Sequence, residues 1–241
     1  MKKLTWGIAL FPLIATAAAV NFLPEKVPTH YNAAGEIDNW GSRNSAFLLP
    51  IFIIIFTAIF EAIAQGMKRR AGDGENSADR AKQNIKVLQK IVPWVIGAMG
   101  AFHLVMLVKM CADGHADISN MPIDDMRIYA FILGLIFIPI GNSVSKTRRN
   151  GLVGFRLKWT LYNDVTWQRS NLFGGVCLML VGVCTMISAA FMSGLAAILL
   201  MLAYLNVALV VMMVYAKRVY DEEKGKAESS GAEVKDQAKR F

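Results

Sequence analysis

The chain has 241 residues, of which 55% are hydrophobic and 18% are charged, and its formal net charge is +8 at pH 7. Soluble domains are typically about 45–50% apolar and about 25% charged, so this composition excludes an ordinary soluble enzyme, a disordered chain and a secreted disulfide scaffold. The apolar residues are concentrated in uncharged runs of about 18 to 22 residues, the length that an α-helix needs to cross a bilayer.

Uncharged runs predict six transmembrane helices. In chain order, the first four runs cover 4–24, 44–65 (interrupted by Glu61), 91–108 and 128–145. Residues 170–216 are then 47 consecutive uncharged residues, about twice the length of one span. Ser193-Gly194 lies in the middle of this run and is typical of a tight turn, so the run predicts a helical hairpin. Because backbone polar groups in lipid must bond to one another, the predicted fold is an all-α polytopic membrane protein.

The distribution of Lys and Arg predicts the orientation. Six spans place both termini and the segments 66–90 and 146–169 on one side, and that side holds 22 of the 26 Lys and Arg residues. Positive residues favour the cytoplasmic side, so both termini are predicted to be cytoplasmic and the protein is expected in the cell (inner) membrane. Anionic lipid headgroups are the expected partner of this charge, and no nucleic-acid partner is expected.

The first span has a second interpretation. Lys2 and Lys3, an apolar run and the small residues 15–17 together resemble a signal peptide with a cleavage site. The apolar run continues to Leu23, beyond a usual signal core, which favours an uncleaved anchor.

The spans also predict the domain organisation. An N-terminal two-helix unit occupies 1–65 and carries an outward cap loop at 24–45. A cytoplasmic loop at 66–90 precedes a four-helix region at 91–216. That region contains a cytoplasmic motif at 141–170. The remaining segment, 217–241, is rich in Lys, Glu, Asp and Ala without an apolar stripe, and it predicts a flexible charged tail.

The outward loop is predicted to form a compact cap, because prolines favour extended backbone and the Asn and Gly residues favour turns. Its polar and aromatic side chains suit a small cation or another ligand, and they equally suit hydrogen bonding within the turns. The candidate binding residues of the cap are His30, Tyr31, Asn32, Gly35, Asp38 and Trp40.

The cytoplasmic motif interleaves basic and aromatic residues, a pattern typical of the membrane interface. Thr160 is predicted to be the N-cap of the helix that enters the fifth span. The pattern favours lipid anchoring, and a docking surface for a cytoplasmic partner is the alternative. The candidate residues of the motif are Asn142, Lys146, Arg148, Arg149, Asn150, Gly154, Arg156, Trp159, Thr160 and Trp167.

Polar residues within spans are costly and are therefore functional candidates. Here they are Glu61, His103 and Asn206. A rise of 1.5 Å per residue spreads them from near the cytoplasmic face to near the outer end, which weakens the case for a shared transport site at the midplane. Glu61 is expected to pair with Lys68 or Arg69, and His103 to pack between helices.

Known catalytic and metal-binding signatures are absent from the sequence. There is no H-E-x-x-H, G-x-S-x-G or P-loop. Cys111, Cys177 and Cys184 are odd in number, lie in or beside spans and form no C-x-x-C, so they predict buried small hydrophobes rather than a disulfide or zinc site. We expect no enzymatic activity, no metal and no cofactor.

Two segments resemble known families. The cytoplasmic run 146–150, followed by 154–156, 159–161 and Trp167, resembles the signature of the SdpI family, membrane immunity proteins against a sporulation-delaying toxin. The outward run Pro28, His30, Tyr31-Asn32, Gly35, Asp38 and Trp40-Gly41 is similar to a small domain of unknown function that precedes the SdpI region in longer members.

The resemblance implies six spans, no enzymatic activity and protection from a membrane-active peptide toxin. It also implies signalling, because in the best-known member the toxin-bound protein holds a repressor at the membrane. Two other functions stay open at this point. One is a transporter of a small solute or peptide, and the other is a structural membrane protein without a ligand.

Overall fold

The structure is a computed structural model that describes residues 3–32, 37–70, 75–114, 124–150 and 152–238. Long helices dominate the described chain, and two short strands pair as an antiparallel hairpin. The strands are β1 (Lys26–Tyr31) and β2 (Ile37–Ser42). The helices are α1 (Lys3–Ala19), α2 (Leu48–Arg70), α3 (Glu75–Gly114), α4 (Asp125–Val144), α5 (Asp164–Phe191) and α6 (Gly194–Ala238).

All six helices are long and apolar enough to cross a membrane. The predicted fold, a polytopic membrane protein with six transmembrane helices, is confirmed. The turn predicted at Ser193-Gly194 separates α5 from α6. The bundle has two ends. The cap end carries the hairpin, the end of α3 and the start of α4, and the motif end carries the end of α4 and the start of α5.

Two helices extend beyond the predicted spans. α3 begins at Glu75, within the predicted cytoplasmic loop, and α6 continues to Ala238, through the segment predicted as a flexible tail. In α6, ion pairs at i,i+4 spacing join Lys217 to Asp221, Arg218 to Glu222 and Lys224 to Glu228. Such pairs stabilise an exposed helix without an apolar stripe, which explains how helix continues where the sequence shows no buried face.

The first three helices share a buried core. Ala9 of α1, Ile53 of α2 and Ile96 of α3 are fully buried against one another, with Val92 and Leu88 extending the cluster along α3. Hydrophobic side chains elsewhere on the spans are exposed on the outside of the bundle, as expected for surfaces that face lipid.

Glycines bring α4 and α5 into close contact. A Cβ built on Gly134 would lie 2.7 Å from the carbonyl oxygen of Gly182, and one built on Gly141 would lie 2.5 Å from that of Gly175. Each pair is reciprocal, because a Cβ on either α5 glycine would meet the carbonyl oxygen of its α4 partner. The two backbones therefore touch directly at two levels, two turns apart.

The hairpin closes the cap end. Val27 of β1 is fully buried and packs with Leu23, Ala46, Leu107 and Met110. The strand register is irregular on both sides of His30, which indicates bulging there. The sequence predicted a compact cap with turns but did not identify the two strands. Gly35, a candidate binding residue, lies outside the described residues.

Candidate functional site

The loop between α4 and α5, residues 145–163, is called the motif loop here. Asn150 organises its first half from a buried position. Its side-chain oxygen accepts hydrogen bonds from the backbone N–H groups of Leu152 and Val153, both at 2.8 Å. Its amide nitrogen donates to the carbonyls of Arg148, at 3.0 Å, and Val153, at 2.8 Å. All of the hydrogen-bonding groups of this amide are thus used to fold the loop.

Trp167 and Asn171 of α5 hold the middle of the motif loop. The Trp167 indole is 1% exposed, and its N–H donates to the Thr147 carbonyl at 3.0 Å. Asn171 accepts from the Phe155 N–H at 2.6 Å and donates to the Trp167 carbonyl at 3.0 Å. Gly154 has a φ of +136°, and a Cβ there would lie 2.6 Å from the Asn171 amide oxygen. Only glycine fits this position without strain.

The helix cap at the end of the loop differs from the prediction. Thr160 was predicted to be the N-cap of the fifth span, but the N-cap of α5 is Asn163, which forms a capping box with Thr166. Thr160 is instead fully buried within the loop. Its hydroxyl accepts from the Leu157 N–H at 2.9 Å and lies 2.7 Å from the Phe155 carbonyl, to which it donates. A threonine side chain can hydrogen-bond to nearby backbone groups both at a helix N-cap and in a turn. The sequence alone therefore did not distinguish these two roles for Thr160.

The basic residues of the motif differ in whether they contact other parts of the protein. Arg149 pairs with Asp164 at 3.1 Å and donates to the Leu161 carbonyl at 3.3 Å. Lys146, Arg148 and Lys158 are exposed. Arg156 is also exposed and takes part in an interaction within the protein.

The two remaining candidates of the motif also differ in exposure. Asn142 is exposed near the end of α4, and its carbonyl accepts from the Ser145 hydroxyl at 3.0 Å. Trp159 is half-buried in the loop.

The extension of α6 contacts the motif end. Arg169 of α5 pairs with Glu222 at 3.0 Å, and the rings of Tyr162 and Tyr220 meet edge to face with centroids 5.1 Å apart. The first part of the segment predicted as a flexible charged tail thus contacts the motif end. Sequence reasoning missed these partners because they lie more than 50 residues apart.

At the cap end, the structure brings two predicted residues together. The His30 Nδ1 atom lies 2.6 Å from the Asp38 carboxylate, with side chains that are 65% and 44% exposed. Trp40 is also exposed on the hairpin, and Asn32 follows the end of β1. Within the described ranges, no group of three side chains of metal-ligand type is present. The exposed pair and the indole form a polar and aromatic surface on the cap.

A second cluster joins the cap to the helix bundle, and we call it the cap clasp: Tyr31, Lys109, Asp113 and Asp125. The Tyr31 hydroxyl donates to Asp113 at 2.9 Å. Lys109 pairs with Asp125 at 2.9 Å, and these side chains are 13% and 17% exposed. The Lys109 ammonium also lies 4.1 Å from the centroid of the Tyr31 ring, a cation–π contact. Burial, followed by the hydrogen bond to Asp113, raises the pKa of Tyr31 well above its usual value.

The clasp was only partly visible in the sequence. Tyr31 was a candidate of the cap, whereas Lys109, Asp113 and Asp125 were not identified as a site. Lys109 and Asp113 are four residues apart at the end of a span, a spacing that places them on one helix face. That spacing was the available signal, but only the fold shows that β1 and α4 meet this face.

The polar residues within the spans have separate partners. The Trp6 indole of α1 donates to Glu61 at 2.6 Å. The sequence had suggested Lys68 or Arg69 as the partner of Glu61 and did not indicate Trp6. His103 is buried, and its Nε2 atom lies 2.7 Å from the Thr16 hydroxyl of α1. Asn206 is exposed and donates to the Leu202 carbonyl of its own helix at 2.8 Å. The structure does not gather these three residues into one site.

No disulfide joins the three cysteines, all of which lie within the described residues. Cys111 and Cys177 are half-buried, but Cys184 is exposed on the bundle surface, so the prediction that all three are buried is wrong for Cys184. An apolar thiol is tolerated on a lipid-facing surface.

Two family models match separate parts of the chain. Residues 7–54 match a domain of unknown function, DUF1648, and residues 146–216 match the SdpI/YfhL protein family. The first match contains the candidate residues of the cap. The second contains the motif loop from Lys146 onward. Three members of the clasp, Lys109, Asp113 and Asp125, lie between the two matched segments.

Curated relatives agree with these matches. The chain is 22% identical to the immunity protein SdpI of Bacillus subtilis over 229 residues, which are 93% of this chain and 99% of that protein. It is 41% identical to an uncharacterized protein of Archaeoglobus fulgidus over 56 residues, 23% of this chain and 28% of that protein. No solved structure matches the chain significantly. The predicted resemblance is therefore confirmed: this multi-pass membrane protein carries a segment that matches DUF1648, followed by a segment that matches the SdpI/YfhL protein family.

Proposed function

We propose that this chain is a non-enzymatic immunity protein of the cytoplasmic membrane that protects the cell from a membrane-active peptide toxin. The observation that carries the proposal is the similarity to an immunity protein along nearly the whole length of both chains. Six apolar helices of spanning length agree with such a role. The similarity extends beyond the motif loop, so it includes the cap and the helices that support it.

The cap is the proposed contact surface for the toxin. His30, Asp38 and Trp40 are exposed on the hairpin, and they offer a charge pair and an indole at the bilayer surface. A peptide that acts on membranes is amphipathic, so it presents both groups that such a surface binds. The buried side of the hairpin is fixed by Val27 and its neighbours, which keeps the exposed side in a defined position.

The finer part of the proposal is that the protein reports toxin binding to a cytoplasmic repressor. α4 supports this idea, because it begins at Asp125 in the clasp and ends at Val144 beside the motif loop. At 1.5 Å per residue, its 20 residues span about 30 Å. One continuous helix therefore connects the cap end with the motif end.

A survival assay tests the proposal. A sensitive bacterium expressing the chain is challenged with sporulation-delaying toxin while membrane potential and viability are recorded. Expressing cells are expected to keep their potential when control cells lose it. The double variant His30→Ala/Asp38→Ala should lose protection at an unchanged protein level, because both side chains are exposed.

Glu25→Gln is the matched control, because it changes an exposed acidic side chain at the start of the hairpin and should keep protection. Collapse of the potential in cells that hold the unaltered protein in their membrane would remove immunity to this toxin. Protection that survives the double variant would remove the cap surface from the mechanism.

A further inference from the structure

The motif loop carries positive charge that no acidic side chain of the described residues neutralises. Lys146, Arg148 and Lys158 are exposed, and the part of the chain that the structure describes provides no acidic partner for any of them. By contrast, Arg149 is held by Asp164 and the Leu161 carbonyl, and Arg169 by Glu222. These three cations of the loop are therefore left without an acidic partner among the described residues.

The neighbouring helix behaves differently. Beyond the last apolar turn of α6, its cations pair with carboxylates on the same helix: Lys217 with Asp221, Arg218 with Glu222, Lys224 with Glu228 and Lys226 with Glu223. The extension is therefore close to neutral by internal pairing. Among the described cations of α4, α5, α6 and the motif loop at this end, the unpaired ones lie on the loop. Lys68, Arg69, Lys86 and Lys90 are also exposed at this end, on α2 and α3.

The loop also lies at the level where the hydrocarbon ends. It connects the end of α4 at Val144 with the start of α5 at Asp164. Leu152, Leu161 and Tyr162 are exposed among the polar residues of the loop, and Val165 is exposed at the start of α5. Apolar and aromatic side chains interleaved with free cations suit the boundary between acyl chains and phosphates, where each group meets its preferred surroundings.

We propose that Lys146, Arg148 and Lys158 form a binding surface for the phosphate headgroups of anionic phospholipids. The apolar neighbours favour a bilayer over an acidic protein as the occupant, because they insert beside the headgroups that the cations hold. The surface anchors the motif end to its leaflet and fixes the height of α4 and α5. The inference stands independently of the proposed immunity function.

Binding of lipids with defined headgroups tests the proposal. The purified full chain, in detergent, is titrated with short-chain phosphatidylglycerol or phosphatidylcholine, and the lipid-dependent rise in unfolding temperature and the retained lipid in native mass spectra are recorded. Phosphatidylglycerol should bind more tightly. The variant Lys146→Gln/Arg148→Gln/Lys158→Gln should bind it about tenfold or more weakly, since each basic residue near an anionic surface contributes appreciably.

The matched control is Lys217→Gln/Arg218→Gln/Lys224→Gln, which removes the same charge from the same end but at paired positions. It should keep the preference for phosphatidylglycerol. Equal binding of the two lipids, an unchanged preference in the loop variant, or an equal loss in the control would overturn the proposal.

Two further arms identify the source of the anion. Inorganic phosphate at the same concentration should not reproduce the temperature rise, and an equal rise would reassign the site to free phosphate. A polyglutamate peptide should not displace the lipid, whereas displacement at comparable concentration would reassign the surface to an acidic protein. The three substituted side chains are exposed and make no described ion pair, so the loop variant should fold, which monodisperse elution checks.

Discussion

Adding one methyl group to Gly141 should destabilise the bundle, because its contact is with backbone. The new Cβ would lie 2.5 Å from the Gly175 carbonyl oxygen, 2.9 Å from Met179 Cγ and 3.0 Å from the Met179 nitrogen. Carbon–oxygen contacts of this kind normally lie at about 3.3–3.6 Å, so α4 and α5 must separate locally by nearly 1 Å. Neither a carbonyl nor a backbone nitrogen can rotate away as a side chain does.

The expected cost follows from this rigidity. Overpacking a well-packed interior typically costs about 1–3 kcal/mol, and a clash with backbone belongs to the upper part of that range. Separation at Gly141 also loosens the equivalent contact at Gly134 and Gly182, because both lie on the same helix pair. We therefore expect Gly141→Ala to lower the free energy of unfolding by about 2–3 kcal/mol.

Gly97→Ala is the matched control in α3. Its Cβ would have a single neighbour, Ile8 Cγ2, at 3.9 Å, which is ordinary contact. Alanine is favoured over glycine within helices by up to about 1 kcal/mol, so this variant should be as stable as the original protein or more stable. Unfolding of the purified protein in mixed micelles, followed by circular dichroism, measures both. If Gly141→Ala proves as stable as Gly97→Ala, the close approach of α4 and α5 is refuted.

Three further predictions concern the motif loop and the clasp. Gly154→Ala should cost about 2 kcal/mol or more, since it adds a strained φ to a clash with Asn171 and Trp167; stability equal to the original in the same unfolding assay would contradict it. Asn150→Ala should expose the motif loop to protease by removing its four hydrogen bonds, without lowering the helical signal; an unchanged cleavage rate would argue against this role. Tyr31→Phe should cost about 1–2 kcal/mol through loss of the hydrogen bond to Asp113, measured as faster amide exchange of the cap. Because folding raises the pKa of Tyr31, the stabilisation of the cap by the clasp should be complete below about pH 10 and should decrease above it. A loss of stability at alkaline pH that persists in Tyr31→Phe would exclude this tyrosine as its source.

The spans could be predicted because each is encoded locally. An uncharged run of sufficient length has few alternatives to a helix in lipid, and neither its neighbours nor its contacts are needed to recognise it. The helix in 217–238 was not predicted for the opposite reason, since it depends on charge pairs at i,i+4 spacing rather than on an apolar stripe. The hairpin was missed because its strands are only six residues long and are placed by the core beneath Val27.

Hydrogen-bond partners on different helices could not be predicted from the sequence. Trp6 reaches Glu61 across 55 positions, and Thr16 reaches His103 across 87. Nothing in either neighbourhood specifies the other, because helix order and rotation decide which polar groups meet. The sequence does contain a signal for the glycine contacts between α4 and α5. Gly134 and Gly141, like Gly175 and Gly182, are seven residues apart, a spacing that places small residues on one helix face and permits close packing.

The candidate residues of the motif have different roles in the structure, and the sequence did not separate these roles. Asn150, Thr160 and Trp167 are buried and fold the loop, whereas Lys146, Arg148 and Lys158 are exposed. Rare residue types and interleaved basic and aromatic residues made all of them candidates, but this pattern does not separate buried from exposed side chains. Substituting Trp167 must disturb the loop whatever the protein does, so a loss of protection there carries no information about a partner. Substitutions of the exposed cations leave the loop folded, and only they can distinguish a membrane anchor from a docking surface.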